Sequence, residues 1–197
     1  MLLFEKIEQQ GIKLILASQS PRRHQLMEGS GLNCEIARFE VDESYPQELE
    51  ASQVPAYLAQ LKSDNYPHEL CEGELLITAD TVVICQGKIL GKPKDEHDAR
   101  AMLAAISGRE HCVVTGVAIR SKDKSRCFAC QSLVRFASLS SEEIDYYITR
   151  YKPFDKAGSY GIQEWIGYIG IESIEGSFYN VMGLPIQRLY NELNKFI

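Results

Sequence analysis

Nowhere does this chain hold the roughly 18 consecutive apolar residues that a membrane-spanning helix requires. Its first 13 residues carry Glu5, Lys6 and Glu8, which argues against a secretory leader. A cytoplasmic protein with no membrane partner is the expectation. Blocks of Lys and Arg are also missing, and a net charge of −6 disfavours a general binder of nucleic acid polymers. With no internal repeat and no low-complexity segment, solenoids and linker-rich architectures drop out. No serine or cysteine nucleophile comes with a histidine and an acid in order, which leaves no catalytic triad to build on. The six cysteines, Cys34, Cys71, Cys85, Cys112, Cys127 and Cys130, are scattered through apolar runs. Reduced, mostly buried thiols are expected rather than a disulfide framework. Cys127-Phe-Ala-Cys130 has the spacing of a zinc knuckle, but in a strand an offset of three turns the two thiols to opposite faces.

What is present suits a folded core. The chain has 197 residues, 45% of them hydrophobic and 24% charged, enough for one large domain or two small lobes. Residues 3–10 can form a short amphipathic helix ending at Gly11. Leu14–Ala17 reads as a strand, followed by a helix from Pro21 with Ser20 as its cap, closed by Gly29 and Gly31. Cys34–Phe39 reads as a strand and Val54–Asp64 as a helix with Tyr57, Leu58 and Leu61 on one face. Leu75–Cys85 is a strand with Lys88–Leu90 as its return. Asp95 caps a helix through Ile106 that Gly108 ends. Cys112–Arg120 and Arg126–Ser138 make a hairpin. Ser140 and Glu143 form a capping box for a helix to about Tyr151. Trp165–Ile174 reads as a strand and Pro185–Phe196 as the last helix. The mixture predicts an α/β protein, a mixed sheet with flanking helices.

Three places hold residues suited to chemistry. At Ser18-Gln-Ser20-Pro21-Arg22-Arg23 two hydroxyls, unpaired backbone N–H groups and two guanidiniums meet at a helix start, where the macrodipole disfavours cations. A bound polyanion would account for them, as would an ordinary surface helix with solvated arginines. In the first case, removing Arg23 leaves the stability of the unliganded protein unchanged or raises it slightly. Asp80 stands in Leu-Leu-Ile-Thr-Ala-Asp-Thr-Val-Val-Ile, where an acid is costly to bury unless a lysine or a divalent metal pairs with it. The alternative is a break between two strands, capped by an Asp80 that faces water. Lys92, between Gly91 and Pro93, is either a point charge for a phosphate or a solvated surface lysine.

Ser-x-Ser-Pro-Arg-Arg after a short strand resembles the opening motif of the Maf family of nucleoside triphosphate pyrophosphatases. Four later stretches match in order: Thr78-Ala-Asp-Thr-Val-Val, Leu90-Gly-Lys-Pro93, Ser107-Gly108, and Asp155-Lys-Ala-Gly-Ser-Tyr-Gly-Ile-Gln163. The match covers nearly everything from Leu14 onward. It implies one Maf-like domain over residues 1–197, with 1–13 as an extension. The implied fold is similar to inosine triphosphate pyrophosphatases, with a deep cleft between two lobes. The implied activity is cleavage between the α and β phosphates, with Asp80 as general base and a divalent cation, Mg or Mn, held by Glu43 and Asp80. Ser18, Arg22, Arg23, Lys62 and Lys92 would hold the phosphates. Arg22, Thr81 and Gln163 mark the branch for dTTP and UTP. The Gln163 amide can both donate to and accept from a pyrimidine edge. The rival readings are the 7-methyl-GTP branch and a nucleotide-binding regulator of cell division with little turnover. The partner expected is a nucleoside triphosphate, and a homodimer is the assembly left open. Three departures stand out. Thr78 replaces the family's usual glycine, Ser159 its alanine, and Glu164 its glycine.

Overall fold

Strand β1 (Lys13–Ala17) is the origin of the sheet, because both of its neighbours run parallel to it. The computed structural model describes all of residues 1–197. On one side lies β2 (Cys34–Ala37), on the other β3 (Glu74–Cys85), with Ala17 opposite Thr78. The chain leaves β1 through helix α2 (Pro21–Gly29) to reach β2, then returns through α3 (Val54–Asp64) to β3 on the far side. That reversal makes the carboxyl end of β1, against β3, a topological switch point, where open α/β sheets bind ligands. The remaining strands are β4 (Lys88–Leu90), β5 (Glu110–Arg120), β6 (Ser125–Phe136) and β7 (Ile171–Glu175). The order across the sheet is β2-β1-β3-β5-β6-β7, with β4 antiparallel on β3. The helices are completed by α1 (Leu3–Gln9), α4 (Glu96–Ile106), α5 (Ser141–Tyr151), α6 (Trp165–Gly170), α7 (Phe178–Met182) and α8 (Ile186–Phe196). None is long and apolar enough to cross a membrane.

Two compact units share the chain. The first comprises 1–80, 115–130 and 183–197, the second 81–114 and 131–182. Within the first, α3 uses only part of the face its apolar pattern suggests. Tyr57 is exposed and Leu61 half-buried, while Val54, Pro55, Leu58 and Ala59 face the core. Gly116 of β5 explains this, since a Cβ there would lie 2.2 Å from the Pro55 carbonyl oxygen. The helix backbone rests on the strand, and only a glycine permits that approach. Helix α8 buries Ile186, Leu189, Leu193 and Phe196 together with Glu192, whose carboxylate meets Arg126 Nε at 2.5 Å and Arg188 Nε at 2.8 Å.

Several expectations need correction. Strand β3 runs unbroken through Asp80, so the strand-break reading of that acid fails. Ser20 holds the cap position of α2 without a capping side-chain bond; its own N–H donates to Ser18 Oγ at 3.2 Å. Trp165–Gly170 is helical, and the strand starts only at Ile171. Its aromatic and β-branched residues suit a strand, but the Gly167 N–H donates to the Glu164 carbonyl at 2.9 Å and closes a helical turn. Helix α7 was not anticipated, being too short at five residues to show a period. Of the six free cysteines only Cys85 is buried. Cys71 is exposed in the loop before β3, and Cys127 is exposed because β6 turns its first residues to solvent.

In the second unit, His111 is buried against Phe136 and Tyr160, with ring centroids 5.5 and 5.4 Å away, and its Nε2 shares a 2.7 Å hydrogen bond with the Tyr160 hydroxyl. Nδ1 is buried without a partner, so an imidazolium would leave a donor unsatisfied. Burial lowers its pKa from 6.5 to about 4. The unfolded chain therefore binds more protons between those values, and this contribution to stability is complete above pH 6.5 and shrinks as pH falls toward 4. Melting profiles of the wild type and His111→Phe should show it. From pH 7 to pH 5 the wild type should lose about 2 kcal/mol more than the variant. Equal slopes would mean that His111 titrates normally.

Candidate functional site

The first unit brings Ser18, Arg22, Arg23, Glu43, Lys62 and Asp80 around the switch point. Register is the first cause. With Ala17 paired to Thr78, the turn that begins at Ser18 lies beside Ala79 and Asp80. Ser18 is buried, and its Oγ accepts from the Ser20 N–H and, at 3.4 Å, from Arg23 Nη1. His24, to which the sequence assigned no role, donates from Nε2 to the Ser18 carbonyl at 2.7 Å and fixes the turn from the next helical position.

Arg23 is a brace as well as a charge. Its Nε donates to the Gly183 carbonyl at 2.7 Å and its Nη1 to the Ala79 carbonyl at 2.9 Å. The guanidinium thus ties the first turn of α2 to β3 and to the start of the C-terminal segment. Burial lowers its pKa from the ordinary arginine value, while nearby Asp80 pulls the other way and Arg22 adds to the lowering. The expectation that Arg23 waits only for an anion is corrected by these bonds.

The centre of the site is an ion cluster. Lys62 Nζ lies 2.7 Å from Asp80 Oδ1 and 3.0 Å from Glu43 Oε1, with the lysine and aspartate side chains only 15% and 13% exposed. The lysine is the cationic partner that an acid inside β3 requires. Thr78 helps to position it. Its hydroxyl donates to the Ala59 carbonyl at 2.7 Å, one turn before Lys62 on the same helix. Thr78 and Asp80 share a strand face by alternation, so both reach α3. The threonine at this position is therefore a tie between strand and helix. Glu43 comes from the exposed loop after β2, in which Asp42 accepts from the Ser44 N–H and hydroxyl.

A cation fits between the two acids, because both already point an oxygen at one ammonium within 3.0 Å. A hard divalent ion takes such donors, usually one or two carboxylates completed by substrate phosphates and water. No group of three His, Cys, Asp or Glu side chains offers a closed metal cage.

Thr81, Lys92 and Gln163 belong to the second unit. Thr81 is half-buried on β3, and Lys92 is exposed after β4. The Lys92 loop and the Asp155–Gln163 stretch are linked directly, since the Gly158 N–H donates to the Gly91 carbonyl at 3.0 Å. Gly158 has φ of +67° and leaves room for Val83, whose methyls a Cβ there would meet at 3.0 Å. Gln163 is half-buried, and its Oε1 is buried with no hydrogen-bond partner inside the protein. Sequence reasoning missed Thr78, His24 and Tyr147 as supports. Only the departure of Thr78 from the expected glycine pointed at any of them.

The fold defines a class first, a mixed α/β protein with the architecture of the Staphylococcus aureus Ham1 protein. That structure matches with a TM-score of 0.55 over 94% of this chain and 100% of its own, at 14% identity. Sequence carries the assignment further. The family model for Maf-like proteins matches residues 13–196, and the chain belongs to the Maf family. A dTTP/UTP pyrophosphatase of Porphyromonas gingivalis is 56% identical over 187 residues, 93% of this chain and 94% of its own. One from Parabacteroides distasonis is 51% identical over 185 residues, covering 93% and 96%. Another from Flavobacterium psychrophilum is 47% identical over 178 residues, covering 90% and 91%.

The bracing role of Arg23 is measurable without ligand. Arg23→Ala leaves two inward-facing carbonyls without their charged donor and should cost about 2–3 kcal/mol. For a chain of this size that lowers Tm by roughly 5–10 °C. An unchanged melting temperature in the absence of nucleotide would return Arg23 to a purely ligand-binding role.

Proposed function

We propose that this protein hydrolyses dTTP and UTP to the nucleoside monophosphate and pyrophosphate. The substrate follows from whole-length relatives that bear that name. The structural observation that carries the chemistry is the Glu43–Lys62–Asp80 cluster at the carboxyl end of β1. Asp80 is the general base. Its carboxylate takes the proton of a water whose oxygen attacks the α-phosphorus. The bond from that phosphorus to the oxygen bridging to the β-phosphate breaks, and pyrophosphate departs with the electron pair. Burial inside β3 restricts solvent around the carboxylate and holds it in one orientation. Glu43 and Asp80 are the residues that would hold Mg or Mn, whose chemistry when bound is to neutralise charge on the phosphate oxygens. Ser18, Arg22 and Arg23 are the proposed phosphate ligands of the first unit, with Lys62 as a further cation there, and Lys92 is the phosphate ligand proposed from its own loop. The bonds of Arg23 to Gly183 and Ala79 give its charge a fixed position.

Specificity in this reading falls to Arg22, Thr81 and Gln163. A uracil or thymine edge presents an N3–H between two carbonyls. The unpartnered Gln163 oxygen suits the first, and the amide N–H suits the second. A carboxylate at 163 could not donate to the carbonyls, a mismatch worth roughly 1–3 kcal/mol.

A panel of dTTP, UTP, dCTP, dGTP and 7-methyl-GTP with pyrophosphate detection tests the reading. Release from dTTP and UTP, well above the rest, is expected. Turnover of 7-methyl-GTP alone would place the protein in another branch, and nucleotide binding without pyrophosphate release would make it a regulator. Asp80→Asn should lower kcat by at least about 10²–10⁴-fold. Its melting temperature should stay close to wild type, since Lys62 keeps Glu43 as a partner. Activity within a few-fold of wild type would remove Asp80 from the base role.

A further inference from the structure

The loop that presents Gln163 is held by a network of side chains outside the phosphate site. Lys156, 7% exposed, places Nζ 2.8 Å from Asp155 Oδ1 and 3.0 Å from Glu164 Oε1. The other oxygen of Glu164 accepts from the hydroxyl of Tyr147, which is fully buried. That hydroxyl in turn accepts from the Gly161 N–H at 3.0 Å. Burial and the adjacent carboxylate push the Tyr147 phenol above its ordinary pKa, so it remains a donor. The ion pair lies directly on Gly161, where a Cβ would come within 2.9 Å of Glu164 Cδ and 3.0 Å of Lys156 Cε. On the other side the Ile162 carbonyl presses against α6, and a Cβ on Gly167 would lie 1.9 Å from its oxygen. Gly161 and Ile162 are therefore fixed from two directions, and Gln163 is the next residue. Its amide oxygen is the one polar atom of that amide buried without a partner, an arrangement that folded proteins rarely leave unexplained.

We propose that Glu164 is a positioning residue for Gln163. Its carboxylate, shared between Tyr147 and Lys156, locks Gly161-Ile162-Gln163 so that the Gln163 amide meets the pyrimidine edge in a single orientation. The proposal rests on the reading of Gln163 as the base-reading residue. Glu164 itself touches no substrate. Its effect is geometric, because a hydrogen bond to the pyrimidine edge weakens steeply once donor and acceptor are misaligned. Glu164 stands where the family resemblance leads one to expect glycine, so the support is built from this chain's own residues.

The test compares kcat and KM for dTTP and dCTP in the wild type, Glu164→Ala, Glu164→Gln, Tyr147→Phe and Gln163→Ala. Cytosine presents an acceptor at N3 and a donor amino group, the reverse of thymine, so the dTTP/dCTP preference reports how the amide is aimed. Glu164→Ala should raise KM for dTTP by about tenfold, keep kcat within about threefold, and narrow the preference by about tenfold. Glu164→Gln keeps an acceptor for Tyr147 and should recover much of the loss. If Gln163→Ala narrows the preference and Glu164→Ala does not, the positioning role is overturned while the base-reading role stands. If Gln163→Ala leaves the preference unchanged, the base-reading role falls and the proposal falls with it. Should Glu164→Ala fail to fold, Tyr147→Phe carries the test by removing one hydroxyl. It should narrow the preference in the same direction, and an unchanged preference would overturn the proposal.

Discussion

A carboxylate within a long apolar strand is the constraint on which the first unit depends. Asp80 is largely buried in β3, and losing its partner would leave a nearly dry negative charge, a fault worth about 3–5 kcal/mol. Much of the surrounding structure brings Lys62 to it. Gly116 lets the backbone of α3 lie on β5, and Thr78 ties β3 to the Ala59 carbonyl. Together these fix the rotation of α3 that aims Lys62 at the acid. Glu43 then completes an acid–base–acid cluster whose geometry suits a cation and, through it, a polyphosphate.

Arg23 shows how one residue can serve stability and function together. A cation in the first turn of a helix opposes the dipole, yet its guanidinium meets two backbone carbonyls and the Ser18 hydroxyl. Charged hydrogen bonds of that kind outweigh a dipole penalty of about 0.3–1 kcal/mol. The turn after β1 is consequently stiff before any ligand arrives, and a stiff turn loses little entropy on binding.

The second unit reaches rigidity by another route. Tyr160 packs edge to face with both His111 and Phe136, the latter ring 5.1 Å away, and the histidine stays neutral because its surroundings are dry. Close by in sequence, Tyr147, Lys156 and Glu164 hold a loop whose glycines admit no side chain. Glycines would ordinarily make such a loop pliable. Here each one is filled against by a neighbour, so freedom in the sequence has become close contact in the fold.

The sequence by itself determined the strand–turn–helix at Ser18–Arg23, the capped helices at Asp95 and Ser140, the β5–β6 pair and the need of Asp80 for a cation. Each rests on a local rule, a cap, a turn or a run of apolar residues, that a short window contains. The family motifs also let Glu43, Lys62 and Asp80 be named together before any geometry was known. Only the tertiary structure decided that Lys62 rather than solvent meets Asp80, that Arg23 spends its donors on Gly183 and Ala79, and that Trp165–Gly170 coils into a helix. It also decided which face α3 buries and where the thiols lie. These outcomes depend on what approaches from distant parts of the chain: a glycine at 116 for a helix at 55, a carbonyl at 162 against a glycine at 167, a lysine at 156 beside an acid at 164. Contacts of that kind leave little trace in hydropathy or propensity, because they are set by the shape of the space that the rest of the fold leaves open.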